Sequence, residues 1–216
     1  MNRRDFSAQL MGLGLGTTAL SAGLPAQAQG GPVEGTHYVR LGTPAPVNAA
    51  PGKIEVIEFF WYACPHCNAF EPTLDAWQKK LPPDVAFRRV PVAFRDIYVP
   101  QQQIFYALEA LGKVDSMHRR VFYAVHNDHQ RLEKTDEIAA FMEKSGIDRV
   151  KFMEAFNSFS VQTKTKQATR LAEAYKIDGV PAMGIHGRFF TSGTLAGTPE
   201  KALVVSEYLI QTLRKG

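Results

Sequence analysis

The stretch "IEFFWYACPHCNAF", residues 57–70, constrains this chain more than any other. An apolar run leads directly into Cys64-Pro65-His66-Cys67, and Phe70, Leu74 and Trp77 follow at helical spacing. Ile54 to Phe60 is apolar except for two glutamates, β-branched early and aromatic late, as a buried strand would be. Pro65 suits the first turn of a helix, because the N–H it lacks would have no partner there. Pro72 predicts a kink further along that helix, and "LPPD" ends it. The pattern is a buried strand that delivers two cysteines to a helix N-terminus. They are the only cysteines in 216 residues.

A pair placed this way can be a staple, half of a metal site or a redox couple. The chain is 45% hydrophobic and long enough to bury a full core, so it needs no staple. Closing so short a loop would also remove little unfolded-state entropy. Zinc usually takes four ligands, often from a second Cys-x-x-Cys, and none is present. His126 and His129 have the i, i+3 spacing that could complete a site; a solvated helix end explains them as well. The formal charge of +4 is not gathered into a basic stripe, which argues against nucleic-acid binding.

Residues 1–28 read as a cleavable signal peptide. Arg3 and Arg4 precede a Leu/Gly/Ala-rich stretch that ends in Ala26-Gln27-Ala28. Arg3-Arg4-Asp5-Phe6 also resembles the start of a twin-arginine signal, so Sec and twin-arginine export both stay open. Cleavage after Ala28 takes away two arginines and one aspartate and lowers the formal charge from +4 to +3. An exported chain lives where disulfides persist, which favours a redox role for the pair.

Along the chain, His37–Leu41 predicts a short edge strand and Val85–Val92 a second long one, carrying Arg88 and Arg89. From about 97 to 176 the pattern turns helical. Ile104, Phe105, Leu108 and Leu111 form one apolar stripe ended by Gly112; Met117, Val121 and Val125 form another. Thr135 is expected to cap a helix bearing Ile138, Ala139 and Met142. Phe152, Met153, Phe156 and Phe159 make a fourth stripe, and residues 164–176 a more polar helix. Core packing accounts for most of these stripes. Ala182–Ile185 and Phe189–Thr191 flank a tight turn at His186-Gly187-Arg188. Thr198 caps a last helix, with Pro199 at its first position.

Disulfide exchange requires a thiolate. Cys64 stands where a helix N-terminus favours negative charge, with His66 two residues on to donate a hydrogen bond or carry a proton. Cys67, one turn deeper, is the less accessible sulfur. Whatever stabilises the Cys64 thiolate stabilises the reduced form and makes the protein an oxidant. Electrons pass through the cysteines alone, so no cofactor is expected.

"EFFWYACPHC", together with "GTHYVRL" ahead of it and "GVPAM" behind it, resembles the DsbA-type periplasmic thiol:disulfide oxidoreductases. The resemblance implies an α/β thioredoxin fold with an inserted helical domain. Cys67 and Pro181 are 114 positions apart, far more than the roughly 30 residues of a βαβ unit, so an insertion is needed. The expected division is 29–96 and 164–216 for the thioredoxin-like domain and 97–163 for the insertion. The resemblance further implies that Cys64 is the attacking cysteine and Cys67 its buried partner. It makes Pro181 a cis-proline that leaves the Val180 backbone to pair with a substrate peptide. Glu58 becomes a buried acid that assists proton transfer; an ion pair with Arg89 is the plainer reading of the same residue. Reduced, unfolded secreted proteins are the implied substrates, and a quinone-linked membrane oxidase of the DsbB type the implied partner. Trp61-Tyr62-Ala63 departs from a more Phe-rich family run.

Three rivals make different predictions. An isomerase or reductase on the same fold is commonly dimeric through an added N-terminal domain; residues 29–52 are too few for one, so a monomer is expected. A peptide-binding or chaperone module would tolerate loss of both cysteines. A metal-binding module would carry stoichiometric zinc.

Overall fold

The structure, a computed structural model, describes residues 30–215. The leader expected over residues 1–28 lies outside the described residues. Five strands form one sheet in the order β1-β5-β4-β2-β3. They are β1 (Val39–Arg40), β2 (Ile54–Phe60), β3 (Val85–Pro91), β4 (Ala182–Ile185) and β5 (Phe189–Ser192). β2 pairs parallel with β3 and antiparallel with β4, and β1 closes one edge against β5. Helix α1 (Pro65–Gln78) makes the crossover from β2 to β3 and runs on through Pro72.

Between β3 and β4 stand five helices: α2 (Val99–Ala110), α3 (Val114–His126), α4 (Thr135–Lys144), α5 (Arg149–Phe156) and α6 (Phe159–Ala174). A short α7 (Gly193–Ala196) and a long α8 (Pro199–Arg214) follow β5. The thioredoxin fold with its helical insertion is thus present.

Two cores flank the sheet. Val56 of β2, with Met183 and Ile185 of β4, packs on Phe70 and Leu74 of α1 and Leu209 of α8. Ile57, Phe59 and Phe60 pack toward the helices, with Phe105, Phe122 and Tyr175. Gly184 permits the second core to close. A Cβ there would lie 2.7 Å from the Tyr175 ring and 2.9 Å from Phe59. The β4–β5 turn places both His186 (φ 48°) and Gly187 (φ 66°) in the left-handed region. The Gly187 N–H donates to the Tyr175 hydroxyl at 2.7 Å.

The two glutamates that interrupt β2 are fully buried, and each meets an arginine of β3. Neighbouring residues on a strand face opposite sides of the sheet. Arg88 therefore reaches Glu55 on one face (Nε–Oε1 2.9 Å), while Arg89, in register with Glu58, reaches it on the other (Nε–Oε2 3.0 Å).

Several helix boundaries differ from expectation. Lys134, not Thr135, is the N-cap of α4. It has extended backbone, and its carbonyl accepts the first helical bond, from Ile138 N–H. The fourth stripe divides: α5 ends at Phe156, and Ser158 caps α6 by accepting from Val161 N–H. Phe159, expected in a core, opens α6 and is 87% exposed. The polar helix begins at residue 159 rather than 164, and it runs unbroken across residue 163. A serine able to cap outweighed the continuing apolar period.

Candidate active site

Cys64 is the N-cap of α1, with extended backbone (φ −84°, ψ 115°), and its side chain makes no capping hydrogen bond. At an ordinary N-cap, a Ser or Asp oxygen accepts the N–H groups of the second and third helical residues. Here the residue at that position carries a thiol in place of an oxygen. Pro65 has no N–H, so the donors directed at the sulfur are the backbone N–H groups of His66 and Cys67. With the Cys67 side chain, they hold the Cys64 thiol down to about 6 from its ordinary 9.0. The largest contribution is a hydrogen bond from the Cys67 side chain, opposed by burial; the His66 charge comes last. The His66 ring is exposed, and its backbone supplies more than its imidazole.

Both cysteines are free thiols. Cys64 retains 7% exposure and Cys67 none. Burial pushes the Cys67 thiol well up, and the charges of Cys64 and Glu58 add to the effect. The site therefore contains one sulfur that gives up its proton readily beside one that retains it.

Val180 and Pro181 face this pair across the fold. The Val180–Pro181 bond is cis, and the Val180 carbonyl lies 3.3 Å from Cys64 Sγ. A cavity of about 590 Å³ opens beside them, lined by His66, Val180, Pro181, Phe190 and Leu195 among others. A larger cavity, about 740 Å³, between β3, α2 and α6 includes none of His66, Val180 and Pro181 in its lining. The chemistry of the sulfurs marks the smaller one as the functional cleft.

Beneath Cys67 lies a polar cluster of which the sequence reading identified only Glu58 and Arg89. Arg89 donates to Glu58 (3.0 Å), Glu71 (3.3 Å), Asp75 (2.8 Å) and Gln78 (3.1 Å). His118 of α3 lies 3.2 Å from Glu71 through Nε2 and 2.9 Å from the Tyr62 hydroxyl through Nδ1. Burial and the nearby Glu71 raise Glu58 well above the usual carboxylate range, against the pull of Arg89. Burial also pushes Glu71 up, but the hydrogen bond from His118 and the charges of Arg89 and Arg119 offset it, and Glu71 ends below its ordinary value. Two signals in the sequence pointed here. Cys67, Glu71 and Asp75 recur every four residues along one face of α1, and His118 interrupts an apolar stripe.

His126 corrects the solvated-end reading. Its Nε2 lies 2.8 Å from the Tyr62 carbonyl, tying α3 to the loop before Cys64. Among the described residues no cluster of His, Cys, Asp and Glu is arranged to hold a metal ion. Trp61, in the same loop, stacks obliquely on Tyr98 with centroids 4.5 Å apart.

A thioredoxin fold that presents Cys-x-x-Cys at a helix N-terminus, opposite a cis-proline, defines the class of thiol:disulfide oxidoreductases. Comparison with known proteins narrows the class. Residues 98–200 match the model of the DSBA-like thioredoxin domain. The chain is 43% identical over 180 residues to the thiol:disulfide interchange protein DsbA of Pseudomonas aeruginosa, covering 83% of this chain and 85% of that one. It is 44% identical to the protein of the same name from Bordetella pertussis across the full length of both. The crystal structure of Pseudomonas aeruginosa DsbA superposes with a TM-score of 0.81 at 43% identity, covering 85% of this chain and 95% of that one. The chain belongs to the DsbA family, and it is an enzyme that forms disulfides in other proteins.

Proposed function

We propose that the chain acts in the periplasm as a monomer, passing the Cys64–Cys67 disulfide to reduced, unfolded secreted proteins. A substrate thiolate attacks Cys64 Sγ, the Cys64–Cys67 bond breaks, and a mixed disulfide forms. Cys67 leaves as a thiolate and takes a proton from the Glu58 carboxyl. A second substrate thiolate then attacks the substrate sulfur of the mixed disulfide, and Cys64 leaves as a thiolate. The substrate departs with a new disulfide, and Cys64 and Cys67 are left reduced. A quinone-linked membrane oxidase of the DsbB type reoxidises them.

The observation that carries this reading is the placement of Cys64 as the N-cap residue of α1, beside Cys67 and facing the Val180 carbonyl. Donors that lower the Cys64 thiol to about 6 stabilise the reduced form, and a couple that prefers its reduced form gives its disulfide away. The other roles follow from position. Pro65 sets the turn without competing for the sulfur. His66 contributes its N–H and its charge. Val180 offers its carbonyl to an extended substrate chain, with Pro181 as the wall of the cleft. Export rests on the signal pattern of residues 1–28, by the Sec or the twin-arginine route. The division into 29–96, 97–163 and 164–216 belongs to the same reading, with its second boundary falling inside α6.

Equilibration with defined glutathione ratios, read by thiol trapping, tests the direction of transfer. A potential above about −200 mV is expected for a disulfide donor; a value near −270 mV, where thioredoxin lies, would make the protein a reductant instead.

A further inference from the structure

Glu58 and Glu71 are both fully buried, and one guanidinium, that of Arg89, serves both. Asp75 shares it too, but Asp75 is 38% exposed and is solvated. Two buried carboxylates against one buried cation leave an excess negative charge in a low-dielectric site, so one of the two retains a proton. Distance to Arg89 alone selects Glu58 as the anion, at 3.0 Å against 3.3 Å for Glu71. The remaining contacts select the opposite. Both oxygens of Glu71 have a donor, Arg89 at Oε2 and His118 at Oε1. Glu58 has a donor at Oε2 only, and its Oε1 is buried without a partner.

We propose that His118 is a positioning residue that fixes the negative charge of this pair on Glu71, so that Glu58 holds the proton beside Cys67. The inference rests on the reading of Glu58 as the acid that serves Cys67. The ring has the right polarity for this task. A carboxylate only accepts, so Nε2–H donates to Glu71 and Nδ1 accepts from the Tyr62 hydroxyl. The Glu71 carboxylate thereby selects the tautomer, and the Tyr62 hydroxyl supplies the complementary donor. The rings of Phe60, Phe105 and Phe122 pack around the imidazole and burial disfavours its charged form, so it acts as a neutral donor. The titratable or charged groups facing this cluster are Tyr62 from the loop, Glu58 from β2, Cys67, Glu71 and Asp75 from α1, Arg89 from β3 and Arg119 from α3.

The consequence is directional. When substrate attacks Cys64, the electron pair of the broken S–S bond goes to Cys67 sulfur. The proton it needs passes from the Glu58 carboxyl, which becomes a carboxylate. An ionised Glu58 could not supply it. His118, which touches neither sulfur, thus sets the protonation state from which disulfide donation begins.

The test follows the proton. The protonated-carboxyl stretch of Glu58, identified in the infrared spectrum by its loss in Glu58→Gln, is titrated in the reduced protein. His118→Phe keeps an aromatic ring among its neighbours but donates nothing. The expected result is a Glu58 midpoint at lower pH, corresponding to proton binding at least about tenfold weaker. His118→Gln, which retains an N–H donor, is expected to restore it. In a Glu71→Gln background His118→Phe is expected to have no further effect. A midpoint unmoved in His118→Phe, or a shift that persists in the Glu71→Gln background, would overturn the inference. Should His118→Phe fail to fold, His118→Leu, which also lacks a donor, replaces it; the midpoint is expected to move the same way, and an unchanged midpoint refutes the role. The Glu58 reading fails separately, if Glu58→Gln leaves the pH profile of disulfide transfer unchanged.

Discussion

Replacing Cys67 by alanine removes the largest contribution to the low pKa of Cys64, the hydrogen bond from the neighbouring thiol. A hydrogen bond to a charged group is worth roughly 1.5–3 kcal/mol, and one pKa unit corresponds to about 1.36 kcal/mol. The Cys64 thiol is therefore expected to rise by roughly one to two units from its value of about 6. Cys67→Ser retains a donor, and Cys64 should stay near 6. The backbone N–H groups of His66 and Cys67 survive both changes, which is why Cys64 in the alanine variant should remain below 9.0. The assay is the pH dependence of Cys64 alkylation, supported by thiolate absorbance in the ultraviolet. A Cys67→Ala midpoint that stays near 6 would refute the reasoning and assign the whole effect to the helix N-terminus. A serine variant that rises as far as alanine would also refute it, because the donor itself would then be irrelevant.

The same thiol links redox state to stability. Its folded pKa of about 6 is below the unfolded 9.0, so its contribution is complete above 9.0 and lost as pH falls through about 6. Three units correspond to roughly 4 kcal/mol, so the stability of the dithiol form relative to the disulfide form should grow by up to that amount across this window. Urea unfolding of both forms checks this; the disulfide form carries the same carboxyl cluster and so cancels it. Arg89→Leu leaves Glu71 as a buried anion without its cation and should cost about 3–5 kcal/mol, the range for breaking a buried ion pair. Adding Glu58→Gln should recover little of this if Glu58 is already protonated, and a large recovery by denaturant titration would mean that Glu58 was the anion.

The local elements were legible because local physics determines them. Ile54–Phe60 reads as a strand from its apolar, β-branched and aromatic run, and Pro65 and Pro199 mark helix starts through the N–H they lack. The Cys-x-x-Cys pair followed from composition and spacing, and its place at a helix N-terminus already indicated a thiolate. The errors were also local. The α4 cap lies one residue before the expected Thr135, and α6 begins five residues before the expected 164, and cap geometry decided both.

What the sequence by itself determined was the strand, the helix and the two sulfurs between them. Only the tertiary structure decided what surrounds the sulfurs. Val180, more than a hundred positions away, lies 3.3 Å from Cys64 because β4 pairs with β2. His118 reaches Glu71 and Tyr62 because α3 packs against α1. Periodicity reports which face of an element is buried, but it does not report which element covers that face. The proton balance of the site depends on the second fact: a buried carboxyl becomes an acid or an anion according to the donors that a distant part of the chain brings to it.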